Sequence, residues 1–547
     1  MNSELCLTDF TFIAPEWLKP LIVSYLLLFQ RILWSCSDKD KSDCDLKGKG
    51  AEDCQNYIRV LSAISETKLL VCGTNCYNPR CRHYLLDGAG QYQVEEEFSG
   101  RGYAPYDPTH NSTALYTSDN LFAATVADFS ATDSLIIKNN LRTAQYDYRH
   151  LNAPDFVSSL EDDQHVYFFF REAAVEFMNC GKAIFSRVAR VCKNDEGGSN
   201  RFRDNWTSFL KTRVNCSVPG EYPFYFDEIQ STTNFFPDPR DNQIFYAVFT
   251  TSPNSILGSA VCRFSLNSLD QSFAGDFKNQ ERVNSNWLPV NHVPSPRPGH
   301  CTNNSTQLPE TSLHFIKNNC LMDESVVSQP SGPVFIKFGD GELLTKIAAQ
   351  RGVSDARGQL FDVLYIGTNR GKVIKALVGA DNPNMESSVI EEEIQIFSET
   401  VPVLNLLIVD GDQEQDSRLI VLSADNVKSI PLHSSCDSKP SCDSCMNSIS
   451  CAWSSASQSC VHHQHYSRDL LVTSSGQCPV VESQPGKNAL CMIKYAGKSL
   501  GQEFYNHLEA AIIYSGLKWD SSVPGNINNQ HFDFATNNLF YPFNLST

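Results

Sequence analysis

Short runs of apolar, β-branched and aromatic residues recur along most of the chain, separated by short polar turns. Runs of this length and composition predict β-strands, and the absence of helical periodicity between them predicts an all-β fold. The clearest runs are at 68–72, 120–126, 166–170, 184–191, 244–250, 363–367 and 419–422.

Several runs share one layout, in which a strand ends in a small residue plus Ser or Thr, a polar turn follows, and a second strand departs. Residues 363–376 show it best, and 419–430 and 121–128 are looser copies. Copies a few tens of residues apart favour a β-propeller, because each small sheet buries its faces against its neighbours. A pair of β-sandwiches is the alternative. The longest gap, 264–333, predicts an insertion, in which the amphipathic stretch 313–322 predicts a short helix.

The residue composition of the chain changes after Pro431, where cysteines become frequent and aliphatic residues become rare. A segment with so few aliphatic residues has too small a core to be stable without disulfide cross-links, so we predict a separate disulfide-rich module at 434–491. We expect residues 492–547, which follow it, to form a weakly structured tail. Zinc at Cys442 and Cys445 is an alternative, but the later cysteines are too irregularly spaced for a second ligand pair. The cysteines of the module are Cys436, Cys442, Cys445, Cys451, Cys460, Cys478 and Cys491.

Composition narrows the location of the protein and the partners it can have. The net charge of −18 over 547 residues argues against binding to nucleic acid or to anionic lipid. Twenty cysteines, with glycosylation acceptors at Asn111, Asn205 and Asn304, favour the secretory pathway. An apolar run at 21–34 resembles a signal-peptide core, but acidic residues precede it, so we assign 1–43 to an atypical signal-like or misassembled segment. No later run has 18 apolar residues, so we expect no membrane anchor in this chain.

Catalytic machinery is not apparent in the sequence. It has no nucleophile elbow, phosphate loop, zinc-protease motif or dinucleotide fingerprint, so we predict no enzyme activity, cofactor or metal. The acidic groups 162–163 and 391–393 are expected on exposed faces or strand edges, because no nearby residue would perturb their protonation.

An ordered set of segments identifies the chain as similar to the semaphorins, over a sema domain at 44–433 followed by a plexin-semaphorin-integrin (PSI) module at 434–491. The details at 179–182, 221–231 and 286–290 are most like the invertebrate class 1 members. The matching segments are 53–61, 71–75, 105–108, 166–172, 187–195, 206–211, 215–220, 258–262, 293–299 and 364–368.

The resemblance implies a seven-bladed propeller and a set of disulfides. Residues before Cys44 do not match the family's opening strands, so the first and closing blades are expected to be incomplete. Cys442 would pair with Cys478 or Cys491, and a Cys76–Cys180 bond is conceivable. The other implied bonds are Cys44–Cys54, Cys72–Cys81, Cys192–Cys301, Cys216–Cys262, Cys436–Cys451 and Cys445–Cys460.

The resemblance also implies a function in binding. A semaphorin of this class is a membrane-anchored, homodimeric guidance ligand for a plexin receptor, here of class A, and acts in axon guidance and cell migration without a small-molecule substrate. By analogy, the receptor would contact the insertion around 313–322 and the loop 194–203. Within the insertion, Phe315, Ile316 and Leu321 are expected in its core. A plexin-type receptor ectodomain and a propeller hydrolase are the alternatives. The loop residues assigned to receptor binding are Asn194, Asp195, Arg201 and Arg203.

Overall fold

Consecutive strands of the chain pair into a succession of antiparallel sheets. The computed structural model describes residue 32 and residues 34–462, apart from 89, 283–284, 340, 381–387, 412–416, 433–435, 447 and 455–456. Sheets 1 and 2 follow each other along the chain, each with its strands in sequence order. Their strands are β1 (Ile58–Ser65), β2 (Lys68–Gly73), β3 (Arg80–Leu86) and β4 (Tyr92–Ser99), then β5 (Thr113–Thr117), β6 (Asn120–Val126), β7 (Ser134–Lys138) and β8 (Leu141–Arg142).

Sheets 3 and 4 are enlarged by other parts of the chain. Sheet 3 consists of β9 (Asp155–Glu161), β10 (His165–Ala173), β11 (Ile184–Cys192) and β12 (Leu210–Asn215). A separate pair, β13 (Ser217–Val218) and β14 (Phe224–Tyr225), precedes sheet 4. Sheet 4 consists of β15 (Glu228–Thr232), β16 (Phe236–Asp238), β17 (Asn242–Thr250) and β18 (Gly258–Ser265), and a much later strand, β23 (Phe335–Phe338), completes its edge.

The residues between β18 and β23 form the predicted insertion. Its described residues include two α-helices and four short strands, and these strands extend sheet 3 beyond β12 rather than forming a sheet of their own. These elements are α2 (Leu266–Ala274), β19 (Phe277–Gln280), β20 (Trp287–Pro289), α3 (Glu310–Asn318), β21 (Leu321–Met322) and β22 (Val326–Val327); the earlier helix α1 is Asp38–Leu46.

Sheets 5 and 6 complete the described part of the series. Sheet 5 has four strands, and sheet 6 has three within the described residues. Their strands are β24 (Leu344–Ser354), β25 (Leu360–Thr368), β26 (Lys372–Gly379) and β27 (Val389–Gln395), then β28 (Asn405–Val409), β29 (Arg418–Leu422) and β30 (Val427–Pro431). The cysteine-rich segment adds α4 (Cys442–Met446), β31 (Cys451–Ser454) and β32 (Ser459–His462).

The sequence of β10 is a nearly continuous aromatic run because the strand is buried on both of its faces. Alternate residues point to opposite faces of a strand. Tyr167 and Phe169 pack into one core cluster, together with Phe245 of sheet 4. Phe168 and Phe170 pack into another, together with residues of sheet 2. Sheet 3 is therefore buried on both faces, as expected for a sheet stacked between two others.

The first strands of successive sheets line a common axis, which gives the propeller arrangement. Each of β1, β5, β9, β15, β24 and β28 contacts the next. Hydroxyl groups link several of these junctions: the Oγ of Ser158 lies 2.8 Å from the Oγ1 of Thr232, and the Oγ1 of Thr113 lies 2.9 Å from the Oγ of Ser159. A cavity of about 380 Å³ remains between β9, β15, β24 and β28. This arrangement confirms the prediction of an all-β propeller over a pair of sandwiches.

Two glycines of the repeated layout explain its small residues. A Cβ on Gly367, in β25, would lie 2.5 Å from the Cγ1 of Val403, so only glycine allows this close approach between sheet 5 and the segment that leads into β28. Gly371, in the turn to β26, has a φ of +68°, which other residues rarely adopt, and a Cβ there would lie 2.8 Å from the carbonyl oxygen of Val401.

The disulfides join neighbouring elements of this fold. The structure forms six of the bonds that the resemblance implies, and Cys442 is also disulfide-bonded, whereas Cys478 and Cys491 lie outside the described residues. Zinc is ligated by cysteine thiolates, and the sulfurs of Cys442 and Cys445 are both in disulfides, so neither can ligate zinc. The six bonds are Cys44–Cys54, Cys72–Cys81, Cys192–Cys301, Cys216–Cys262, Cys436–Cys451 and Cys445–Cys460.

The region before Cys44 contains a bond that we did not predict. Cys36 is joined to Cys76, so the suggested Cys76–Cys180 bond is wrong, and Cys180 is an exposed free thiol. Trp34 is buried against sheet 1, with the Arg82 guanidinium 4.2 Å from its ring centre. Trp34 and Cys36 of our N-terminal segment therefore belong to the fold, while residues 1–31 and 33 lie outside the described residues.

The cysteine-rich segment packs on sheet 5 through the buried carboxylate of Glu391. The Nζ of Lys375 lies 3.1 Å from the Oε2 of Glu391, and both side chains are almost inaccessible to solvent. The other oxygen of Glu391 accepts hydrogen bonds from the Ser448 hydroxyl, at 2.6 Å, and from the Ile449 amide, at 3.0 Å. Glu391 lies on the edge strand β27, one of the two positions expected for it, but its side chain is buried and paired rather than free, because its own strand gives no sign of the segment that covers it.

Asp162 was also wrongly expected to be an unperturbed surface acid. Its carboxylate accepts hydrogen bonds from the Tyr167 hydroxyl, at 2.7 Å, and from the His165 amide, at 2.6 Å. These bonds outweigh its burial and hold the pKa of Asp162 well below its ordinary value. Its neighbour Asp163 is exposed, as expected.

No helix among the described residues is long and apolar enough to cross a bilayer.

Candidate protein-interaction site

The insertion is held on sheet 3 by its own small core. β21 pairs with β12, with Leu321 opposite Lys211, and the Lys211 amide donates to the Cys320 carbonyl at 2.8 Å. Ile316 of α3 and Leu321 are buried, and the Phe315 ring meets Phe277 edge-on at 5.0 Å. Phe315, Ile316 and Leu321 thus lie in the insertion core, and the short helix predicted at 313–322 is observed slightly earlier, at Glu310–Asn318.

The loop 194–203 and the segment leading into α3 are fastened together at their base. The Cys192–Cys301 disulfide joins their starting points. The Glu196 amide donates to the Ser305 hydroxyl at 2.9 Å, and that hydroxyl donates to the Gly197 carbonyl at 2.9 Å. The structure therefore brings together the two segments that the resemblance suggested as receptor contacts, although about a hundred residues separate them in sequence.

Further contacts join the outer end of the loop to α3. The Asn200 side-chain amide donates to Glu310 at 3.3 Å. The guanidinium of Arg201 contacts the His314 ring, and the Phe202 ring meets that same imidazole edge-on at 5.0 Å. We call the exposed residues of 194–203 and α3 the loop–helix surface.

Asp195 is not part of the loop–helix surface, which corrects its assignment to receptor binding. It is only 2% exposed. Its Oδ2 accepts from the Thr207 amide at 2.9 Å and from the Ser208 hydroxyl at 2.6 Å, and its Oδ1 accepts from the Gly197 amide at 2.9 Å. Four consecutive polar residues precede Gly197, and the sequence alone gave no reason to place one of them inside the fold.

Lys138 holds the backbone at the start of the same loop through hydrogen bonds, and the sequence analysis did not identify this residue. Its Nζ donates to the carbonyls of Lys193, at 3.0 Å, and Asp195, at 2.5 Å, and lies 5.6 Å from the centre of the Phe122 ring. Burial lowers the pKa of Lys138. The sequence does hold one signal for this residue: Lys138 is a lysine at the end of the apolar strand β7.

The other three residues assigned to receptor binding are accessible to a partner. Asn194, Arg201 and Arg203 are all exposed. The Asn194 side chain donates to the Thr302 carbonyl at 2.9 Å, which fixes its position. Arg203 lines a polar depression of about 790 Å³ together with Glu196 and residues of sheet 2. A rigid base carrying exposed cationic and amide groups suits recognition of another protein.

The three predicted glycosylation sites lie in different surroundings. Asn304 is exposed beside the loop–helix surface, and its Oδ1 accepts from the Thr306 hydroxyl at 2.6 Å. Asn111 is also exposed and donates to Asp155 at 2.8 Å, whereas Asn205 is half-buried beside β8. Their glycosylation stays a prediction.

Comparison with known proteins identifies the family. The Sema domain model matches residues 229–410. Semaphorin-1A of Schistocerca americana is 51% identical over 443 residues, which cover 79% of this chain and 60% of that protein. The chain thus spans about 60% of the length of this curated relative.

Solved structures agree with the sequence match. The structure of Drosophila Semaphorin 1b, extracellular domains 1-2, has a TM-score of 0.75 and 42% identity, covering 80% of this chain and 86% of that chain. A structure of Drosophila Plexin A in complex with Semaphorin 1b matches with a TM-score of 0.74, also at 42% identity, covering 80% of this chain and 86% of that chain. On this identity and coverage, the chain belongs to the semaphorin family.

Proposed function

We propose that this chain is an extracellular guidance ligand that binds a class A plexin through its loop–helix surface. The observation that carries the proposal is the similarity to Semaphorin 1b, which has been solved in complex with Drosophila Plexin A. Relatives at 42–51% identity are semaphorins, which favours a ligand over a plexin-type receptor or a propeller hydrolase. Binding would direct axons and migrating cells at the cell surface.

The construction of the loop–helix surface suits this role. Cys192–Cys301, Asp195 and Lys138 fix the base of the loop, while Asn194, Arg201 and Arg203 remain exposed. A surface that is already ordered loses little conformational entropy when it binds, so more of the contact energy appears as affinity.

Two finer architectural features belong to the same proposal. The six sheets are blades of a seven-bladed propeller, and the cysteine-rich segment from Cys436 onward is a PSI module. The protein acts as a homodimer, so that two receptors are drawn together by one ligand, and the symmetric arrangement gives bivalent engagement.

Surface plasmon resonance against an immobilised class A plexin ectodomain tests the proposal. We expect saturable binding that weakens at least tenfold when Arg201→Glu and Arg203→Glu are combined, because reversing two exposed charges disfavours encounter. Arg357→Glu, at an exposed turn between β24 and β25, is the matched control and should bind within about twofold of the unaltered chain. Absence of saturable binding by the unaltered chain would overturn the proposal.

A further inference from the structure

A third segment, residues 146–150, is joined to the last turn of α3. The Nη1 of Arg149 donates to the Asn318 side-chain oxygen at 3.3 Å, and the Nε2 of His150 lies 3.0 Å from the Lys317 carbonyl oxygen. His150 is buried, with its ring stacked on Phe209 at 5.2 Å between centres. The segment is therefore fixed against the helix and continues the loop–helix surface at its C-terminal end.

Two aromatic side chains of this segment face solvent. Tyr146 is 68% exposed and Tyr148 is 46% exposed. The Arg149 guanidinium lies 5.9 Å from the centre of the Tyr148 ring. Single exposed aromatics are common on protein surfaces. Two tyrosines and an arginine within four residues, held on an ordered support, have instead the composition of a binding hot spot.

Residues 146–150 and the adjoining part of the loop–helix surface form an edge that is basic, although the chain as a whole is acidic. The net charge is −18, yet Arg149, Arg201 and Lys317 lie along this edge, and none forms an ion pair within the described residues. Two acids share this region: Asp147 accepts from the Arg149 amide at 3.0 Å within the loop, and Glu310 lies beside Asn200 at the opposite end of α3 from Lys317, so the three cations outnumber the two carboxylates. An unpaired basic edge on an acidic protein is complementary to an acidic partner.

We propose that residues 146–150 form a third contact with the receptor. In this contact Tyr146 and Tyr148 are apolar anchors, and Arg149, flanked by Arg201 and Lys317, faces an acidic patch on the receptor. The inference rests on the proposed plexin binding and deepens it, because it specifies the chemistry of the partner surface. His150 is a positioning residue that keeps the segment on the helix.

Three single variants, Tyr146→Ala, Tyr148→Ala and Arg149→Glu, test the contact by surface plasmon resonance on the plexin ectodomain at several salt concentrations. We expect each tyrosine variant to raise Kd about tenfold, mainly through faster dissociation. Arg149→Glu should slow association and reduce the salt dependence of the association rate. Tyr222→Ala is the matched control: Tyr222 is 82% exposed in the β13–β14 loop, and its loss should change Kd less than twofold.

The outcomes separate this inference from the proposed function. If the unaltered chain binds plexin, and the combined Arg201→Glu and Arg203→Glu variant weakens binding while Tyr146→Ala, Tyr148→Ala and Arg149→Glu bind as tightly as the control, the third contact is overturned and the function stands. If the unaltered chain does not bind plexin, the proposed function and the third contact are both overturned. Circular-dichroism melting of each variant checks folding, and an unchanged melting temperature with weakened binding supports the contact.

Discussion

Cys192 is bonded to Cys301 across 109 residues of chain, and this bond lies at the base of both segments of the loop–helix surface. Cys192 ends β11, and Cys301 begins the segment that runs into α3. The bond thus couples stability to the shape of the candidate receptor site, because it constrains a long loop in the unfolded chain and fixes a short distance in the folded one.

Replacing both cysteines, Cys192→Ser with Cys301→Ser, should lower the free energy of unfolding by roughly 4–5 kcal/mol, as the chain-entropy relation gives for a loop of this length. Urea unfolding followed by tryptophan fluorescence measures the change. Cys180→Ser is the control, since Cys180 is an exposed free thiol, and it should leave the unfolding midpoint in place. A double variant as stable as the control would contradict the role given to the bond.

Asp195→Asn should loosen the loop without opening the sheets. The amide keeps one acceptor oxygen but cannot serve all four donors that the carboxylate serves, which costs about 1–3 kcal/mol. Hydrogen–deuterium exchange should rise in 194–208 and stay unchanged in β10. Asp163→Asn is the control, because Asp163 is an exposed acid that lines the same polar depression as Arg203. Equal exchange in the two variants would show that Asp195 does not order the loop.

Acid should weaken the fold through a buried charge cluster in sheet 3. Arg187 donates to Glu172 at 3.0 Å and to Glu176 at 2.6 Å, and Lys211 donates to Glu172 at 2.6 Å. Although burial alone would raise the pKa of Glu176, the Arg187 charge and its hydrogen bond lower it from 4.5 to about 2.

The sign of this pH effect follows from the lowered pKa of Glu176. The stabilisation is fully present above pH 4.5 and is lost as the pH falls from there through about 2, because the unfolded chain takes up the proton first. Glu176→Gln should flatten the dependence of the unfolding free energy on pH between 4.5 and 2, whereas exposed Glu66→Gln should not. Identical slopes for the two variants in urea titrations would refute the assignment.

Removing the carboxylate of Glu391 should release the cysteine-rich segment from sheet 5. Glu391→Ala leaves the Lys375 ammonium buried without its ion partner, a change that typically costs about 3–5 kcal/mol. Faster hydrogen exchange at 448–454, with unchanged exchange in β10, is the expected result. Glu399→Ala, at an exposed position after β27, is the control. Unchanged exchange at 448–454 would show that the Glu391 carboxylate does not hold the segment.

Much of the fold could be predicted from local pattern. β10 and β25 are recognisable because residues buried on both faces leave a continuous apolar run, and Gly367 and Gly371 mark the close approach and the turn that the repeated layout requires. The disulfide pairings came from the family resemblance rather than from spacing, and Cys36–Cys76 was missed because Cys36 precedes the matching region.

The site could be predicted only in outline. The sequence named the loop and the insertion but placed Asp195 on the surface, and it gave no sign that Lys138 or residues 146–150 lie beside them. Burial of Asp195 depends on Thr207 and Ser208, and the position of His150 depends on a helix more than 160 residues later. Contacts between distant segments leave no periodicity in the local sequence.

The most direct measurement is the hydrogen–deuterium exchange footprint of a class A plexin ectodomain on this chain. We predict that adding the receptor slows exchange in residues 194–203 and in α3, together with 146–150, and leaves exchange in sheets 5 and 6 unchanged. Protection confined to sheets 5 and 6, or no protection at saturating receptor, would contradict it.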